Sequence, residues 1–221
     1  MRHLLVAGLL LLGLGACRHR PAELPEPENP DWYVLKAPEA REVVAVTGSI
    51  DNTLIITTRY KIYRTTDRGQ TWQTCAYPAD NGSATFGIVG FAAHRGDTLL
   101  ALTAGLGSMP DSATVYASSL THYSADQGRT WPRYQFNGST AGLATTRVPL
   151  NRVQTPRGNT YRVATTWTPV APGSNTYYVS TTGVEGPAGP VPKLPHQHLI
   201  NSIYLDQQAR LYVAASAPLK G

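Results

Sequence analysis

The chain has 221 residues, 42% of them hydrophobic and only 15% charged, against about a quarter charged in an average soluble domain, and its formal charge is +5. That charge is spread through Arg41, Arg59, Arg95, Arg147 and Arg210 and is not interleaved with aromatic residues, which argues against nucleic acid as a partner. Plentiful Tyr, Thr, Val and Gly, with no 3.6-residue apolar period after residue 17, exclude a helical bundle and predict an all-β fold.

At the N-terminus Arg2 precedes an apolar run from Leu4 to Leu12, which ends in Leu14-Gly15-Ala16-Cys17. A basic residue, a short apolar core and small residues before a cleavage point are the parts of a secretory signal, and the run is too short for a comfortable spanning helix. The tetrapeptide resembles a bacterial lipobox. That resemblance implies that residues 1–17 are a lipoprotein signal peptide and that Cys17 is lipidated as the first mature residue, anchoring an extracytoplasmic chain to a membrane of the cell envelope. Arg18 is not the aspartate that marks inner-membrane retention in enteric bacteria, so the outer membrane is the expected address. Cys75 is the only other cysteine, so lipidation of Cys17 leaves no internal disulfide. Flanked by Thr74 and Ala76 in a strand-like run, Cys75 reads as a small buried hydrophobe.

Residues 18–40 are rich in Pro and Glu and poor in apolar side chains, and they read as a tether that holds a folded part clear of the headgroups. Trp32 to Leu35 mark where that tether first touches the fold. Beyond it the chain repeats. Asp51 to Thr57, Gly96 to Thr103, Gly158 to Thr165 and Gln208 to Ala214 each read as a turn followed by a β-rich run, with Thr53, Thr98, Thr160 and Arg210 aligned. The offsets of 45, 62 and 50 residues suit β-propeller blades with variable loops. Earlier runs such as Val43 to Val46, Ile88 to Phe91 and Ile203 to Leu205 complete a first hairpin in each unit.

A second signal recurs 59 residues apart: Thr65-Thr66-Asp67-Arg68-Gly69-Gln70-Thr71-Trp72 and Ser124-Ala125-Asp126-Gln127-Gly128-Arg129-Thr130-Trp131. Asp67 and Asp126 are placed to accept backbone N–H bonds within a turn, Gly69 and Gly128 permit positive φ, and Trp72 and Trp131 begin an outer strand and bury an aromatic face. A decayed copy is expected around Ser180 to Gly183. The pattern resembles the Asp-box, or BNR, repeat of sialidase-like and related bacterial propellers. The resemblance implies a β-propeller of four-stranded antiparallel blades, with units near 41–80, 84–137 and 143–194 and a fourth starting near 197. About three and a half blades over residues 41–221 make this an expected partial propeller, completed by missing C-terminal blades or by self-association.

In that family the boxes are structural and lie away from the active site, so they imply fold more than activity. Sialidases need an arginine triad, a tyrosine nucleophile with its glutamate, an acid/base aspartate and a Phe/Tyr-Arg-Ile-Pro signature. The tetrapeptide is missing, and Glu185 is the only glutamate after Glu42. No catalytic residue is assigned, and no cofactor or metal is expected. His196-Gln197-His198 offers two imidazoles, which are too few for a site. The reading is a non-catalytic binding or scaffold module, with a truncated sialidase-like glycosidase and an assembly factor for a membrane complex, resembling photosystem II stability proteins, as alternatives. Loops between second and third strands lie opposite the boxes and are elaborated at Ala104 to Ala113 and Thr168 to Asn175. There Trp167, Asp111 and Asn175 are candidates for a glycan or protein ligand, Trp167 alternatively packing against a neighbouring blade.

Overall fold

The computed structural model describes residues 31–76, 87–103, 105–106, 114–135, 146–173 and 176–218. Cys17, Asp111 and Asn175 lie outside these described residues. Within them the protein is all-β apart from one 3-10 turn over Pro38–Ala40. No helix among them is long and apolar enough to cross a membrane.

Five antiparallel sheets follow in chain order. The first is a meander of β1 (Ala45–Gly48), β2 (Leu54–Thr57), β3 (Ile62–Thr65) and β4 (Gln73–Cys75). The second begins with β5 (Gly90–Ala93) and β6 (Leu99–Leu102), after which the chain makes a detour through β7 (Gly105–Leu106) and β8 (Tyr116–Ala117) before β9 (Leu120–Ser124) pairs with β6. β8 also pairs with β10 (Val148–Pro149), so the long insertion of the second unit is braced against the entry to the third by a small three-stranded sheet. The next principal sheet is a meander of β11 (Arg152–Gln154), β12 (Thr160–Pro169), β13 (Tyr177–Gly186) and β14 (Gly189–Pro190), and the last is the hairpin of β15 (Ile200–Leu205) and β16 (Leu211–Ala215). None of the sheets closes on itself.

The repeated runs are the second strands of four hairpins closed in the same way. In each, the N–H of the first turn residue donates to the carbonyl four residues on: Ser49 to Thr53, His94 to Thr98 and Thr155 to Asn159 at 2.8 Å, and Asp206 to Arg210 at 3.2 Å. This places Asn159, one residue before Thr160, opposite Thr53. Gly158, with φ of 86°, takes the left-handed position before Asn159 that Ala209, with φ of 59°, takes before Arg210. The expected decayed motif at Ser180 to Gly183 is corrected as well: these residues run inside β13, and the turn into β14 falls between Gly186 and Gly189.

Strand alternation explains the packing, because successive side chains leave a strand on opposite faces. In β2, Ile55 joins Ala45, Ile62, Phe91, Ala101 and Trp131 between the first and second sheets, while Leu54 and Ile56 join Tyr63 and Ala214 between the first and the last. On the last hairpin Tyr204 and Tyr212 face the first sheet, whereas Ile203 and Val213 face β12 and β13 through Val163 and Val184. The sheets touch through their first strands and through the bracing sheet: β1 lies against both β5 and β15, β15 against β11, and β5 against β10. The last step is tight, since a Cβ on Gly90 would stand 2.7 Å from Ala117 Cβ and 3.3 Å from Leu150 Cδ2.

The folded part starts earlier than residue 41. Leu35 and Ala37 are half-buried against the cluster of Val46, Ile56 and Tyr63, and Trp32 Nε1 donates to the Pro192 carbonyl at 3.1 Å. The segment from Trp32 to Ala37 also stands in for a neighbouring sheet. Gly128 is so close to the first sheet that a Cβ would run into Ile55 Cδ1, and Gly69 is so close to this segment that a Cβ would run into Leu35 Cδ2. Likewise the Gln127 carbonyl accepts from Arg64 Nε at 3.1 Å and the equivalent Arg68 carbonyl accepts from Tyr33 Oη at 3.3 Å. Leu35 and Tyr33 thus give one turn what β2 and β3 give the other.

Candidate functional site

The two aspartate motifs form hairpin turns leading from β3 and β9, and their chemistry is spent locally. Asp67 accepts from the Thr65 hydroxyl at 2.7 Å, the Thr71 N–H at 2.9 Å and the Thr71 hydroxyl at 2.5 Å, while Thr65 Oγ1 accepts the Gly69 N–H at 2.9 Å. Asp126 repeats the set with the Ser124 hydroxyl at 2.8 Å, the Thr130 N–H at 3.0 Å and the Thr130 hydroxyl at 2.7 Å, and Ser124 Oγ accepts the Gly128 N–H at 2.8 Å. Each glycine is preceded by a second left-handed residue, Arg68 at φ 61° and Gln127 at φ 59°, which composition alone does not announce. Donation by Thr71 and Thr65 holds the Asp67 carboxyl down at about 2. Burial pushes Asp126 up, but donors from Thr130, Ser124 and Arg129 outweigh it and leave that carboxyl also at about 2. Both groups are ionised and saturated with donors, so neither is available as a general acid at neutral pH.

A pH dependence follows from the sign of these shifts. A carboxyl depressed from 3.8 to about 2 contributes stability that is complete above its unfolded value and is lost as pH falls through the folded one. The Asp67→Asn/Asp126→Asn variant is therefore less stable than wild type at neutral pH, and the gap narrows between about pH 4 and pH 2. Urea titrations at both ends of that range check it; a constant gap overturns the assignment.

The tryptophans that close the motifs differ. Trp131 is fully buried, lies with its ring centroid 5.5 Å from that of Phe91, and donates Nε1 to the Gly128 carbonyl at 3.0 Å. Trp72 is only half-buried, against the Leu35 side of the first sheet, and its buried Nε1 has no hydrogen-bond partner. The second turn is also tied back to the first sheet, where the Trp131 N–H donates to the Ala76 carbonyl at 3.2 Å. Cys75 beside it is buried, and burial pushes its thiol up to about 11, well away from the thiolate a nucleophile needs.

A polar network joins the last hairpin to the first. Asp206, whose side chain is 1% exposed, accepts from the Gln208 and Arg210 N–H groups at 2.9 Å, Arg210 Nε at 2.7 Å and Tyr212 Oη at 3.0 Å. Burial pushes its carboxyl up, but these donors outweigh that and hold it below the ordinary range. Arg210 then reaches across to Ser49 Oγ at 2.7 Å and to Asp51, while Tyr204 and Tyr212 hydroxyls accept the Gly48 and Ile50 N–H groups. In the sequence Arg210 stands out only as one of the scattered charges and by its place in the repeat. The run Asp206 to Arg210 carries the i to i+4 spacing of this pair, but its partner across the fold is 159 residues away.

Of the three ligand candidates, only Trp167 lies among the described residues. It is 54% exposed, in β12 opposite Val179. The expected loop from Thr168 is instead the outer part of a long hairpin, with pairing continuing to Pro169 and Tyr177. Residues 165–173 are all exposed, so both faces of the strand meet solvent and the hairpin stands off the body as an arm. In-register partners share a face, so Trp167 and Tyr178, which is opposite Thr168, stand on opposite faces. Elsewhere, an open cleft of about 220 Å³ lies among Thr114, Tyr116, Pro149, Arg152 and Gln154, beside the braced insertion. His198 Nδ1 lies 2.7 Å from the Ser216 carbonyl, which commits that ring to pinning the ends of β15 and β16 together. Among the described residues no group of three or more His, Cys, Asp or Glu side chains is placed to hold a metal ion.

Compared with protein-family models, curated proteins and solved structures, the chain matches none of them. Function must therefore be argued from the arm, the turns and the network themselves.

Proposed function

We propose that the chain is an exported, lipid-anchored, non-catalytic binding or scaffold module of the bacterial cell envelope, built as an Asp-box β-propeller with the four principal sheets as blades. The contacts of β1 with β5 and β15 and of β15 with β11, together with the matching bonds of the two aspartate turns, support the propeller reading. The lipobox-like Leu14-Gly15-Ala16-Cys17 supports the anchor.

One observation carries the binding role: of the large hydrophobic side chains that stand exposed among the described residues, Trp167, Val170 and Tyr178 are gathered on one arm. Exposed apolar surface gathered on one projecting element is what an interaction site presents. Two predictions test it. Trp167→Ala changes the unfolding free energy by no more than about 0.5 kcal/mol, as expected of a surface substitution, and urea denaturation reads that. A photoreactive amino acid at position 167, in cells producing the full chain, cross-links to an envelope component. A large loss of stability in the first measurement, or no adduct in the second, overturns the reading.

A further inference from the structure

The arm carries more than exposed aromatics. From Val163 to Val184 the sequence holds no charged residue and no histidine, a run of 22 residues in a chain where 15% are charged. The run is bounded on both strands at the same level, by the ion pair of Arg162 Nε with Glu185 Oε2 at 2.6 Å, whose residues are register partners. Below the exposed part, Val163 and Val184 are buried and Thr181 Oγ1 donates to the Ile200 carbonyl at 2.9 Å, so the base is fixed to the body. From Thr166 to Pro169 the paired strands rise roughly 10 Å, at about 3.3 Å per residue.

The arm is also rooted where the chain enters the fold. Trp32 binds the Pro192 carbonyl, two residues after β14 of the same sheet. Fourteen residues lie between Cys17 and Trp32, and such a length of chain spans at most about 50 Å. An anchor at Cys17 thus keeps this sheet within reach of the bilayer.

We propose that the β12–β13 arm is a second membrane contact, seating Trp167, Val170 and Tyr178 in the headgroup layer of the bilayer that holds the anchor. The proposal rests on the lipid-anchored reading and names the occupant of the arm. Indole and phenol rings favour this layer because one part of each ring is apolar and the other bonds water or headgroups. Faces exposed on both sides suit a medium that surrounds the arm, and a sugar or peptide ligand would call for a groove beside it. The depth is bounded too. A two-stranded arm has unpaired edge N–H and C=O groups that cannot enter hydrocarbon, so the tip stops among the headgroups.

The test uses the full chain reconstituted in vesicles of phosphatidylethanolamine and phosphatidylglycerol, held by its own N-terminal residues. A fluorescent amino acid replaces Val170 or, as a reference on the last hairpin, exposed Gln207. Lipid brominated near the headgroup is expected to quench position 170 several-fold more than position 207, and Trp167→Ala/Tyr178→Ala to remove most of the difference. Equal quenching at both positions, no quenching at 170, or a blue shift at 170 that needs no lipid and grows with protein concentration overturns the proposal, the last pointing to a second copy of the chain. The mass of the Cys17 peptide reads the anchor separately. Acylated Cys17 with an unquenched arm sinks the arm alone; unacylated Cys17 with a quenched arm upholds the arm and sinks the anchor.

Discussion

Replacing Trp131 by alanine removes about 3–5 kcal/mol of unfolding free energy, the range for a fully buried aromatic whose cavity cannot collapse. The site has little freedom to close. Phe91 and Ile55 approach from two sheets, and the Gly128 carbonyl loses its indole donor. Trp72→Ala, at the matching position of the first turn, is expected to cost clearly less. Trp72 is half-buried and its Nε1 has no bond to lose. Urea denaturation of the two variants reads the difference, and equal losses would show that the turns do not sit in the unequal surroundings described.

The second large effect belongs to Asp206. Asp206→Ala is expected to cost about 3–5 kcal/mol, because a buried carboxylate removed from its partners leaves their donors unmet. The N–H groups of Gln208 and Arg210 and the Tyr212 hydroxyl all lose an acceptor. Asp51→Ala removes the exposed end of the same network, 54% accessible, and is expected to cost less than about 1 kcal/mol. Asp206→Asn separates charge from shape, since it keeps the acceptor oxygen and loses the ion pair. If Asp206→Ala and Asp51→Ala cost the same, the network is a surface decoration and not the fastening between the last hairpin and the first sheet. The contribution of Asp206 is present above the ordinary carboxylate range and fades as pH falls below it, because its carboxyl is held low in the fold.

What could be read from the sequence was local. The aspartate turns were legible because every bond in them joins residues four or fewer apart, such as Thr65 with Gly69 or Asp126 with Thr130, and the β-rich runs were legible because they recur. The pairing of Tyr33 with Arg68, of Arg64 with Gln127 and of Arg210 with Asp51 was not, since those contacts join residues 35, 63 and 159 apart and leave no spacing to recognise. The same limit explains the tryptophans. The motif sets where Trp72 and Trp131 start, but the sheet or segment that packs over each decides how deeply it is buried. The third unit misled for a different reason. Its hairpin runs ten residues on each strand, so a Thr-Thr-Gly that resembles a turn lies in mid-strand.

The way Trp32 to Leu35 lie on the body has a mechanical consequence. A pull applied upstream of residue 31 does not load β1 directly. It meets first the Trp32 bond to Pro192, then the Tyr33 bond to Arg68, then Leu35 seated on Gly69. Tension along the chain is therefore divided between two sheets before any strand pairing bears it. Two single hydrogen bonds and one side-chain contact are weaker than the strand pairing behind them, so under load they are expected to give way before β1 does.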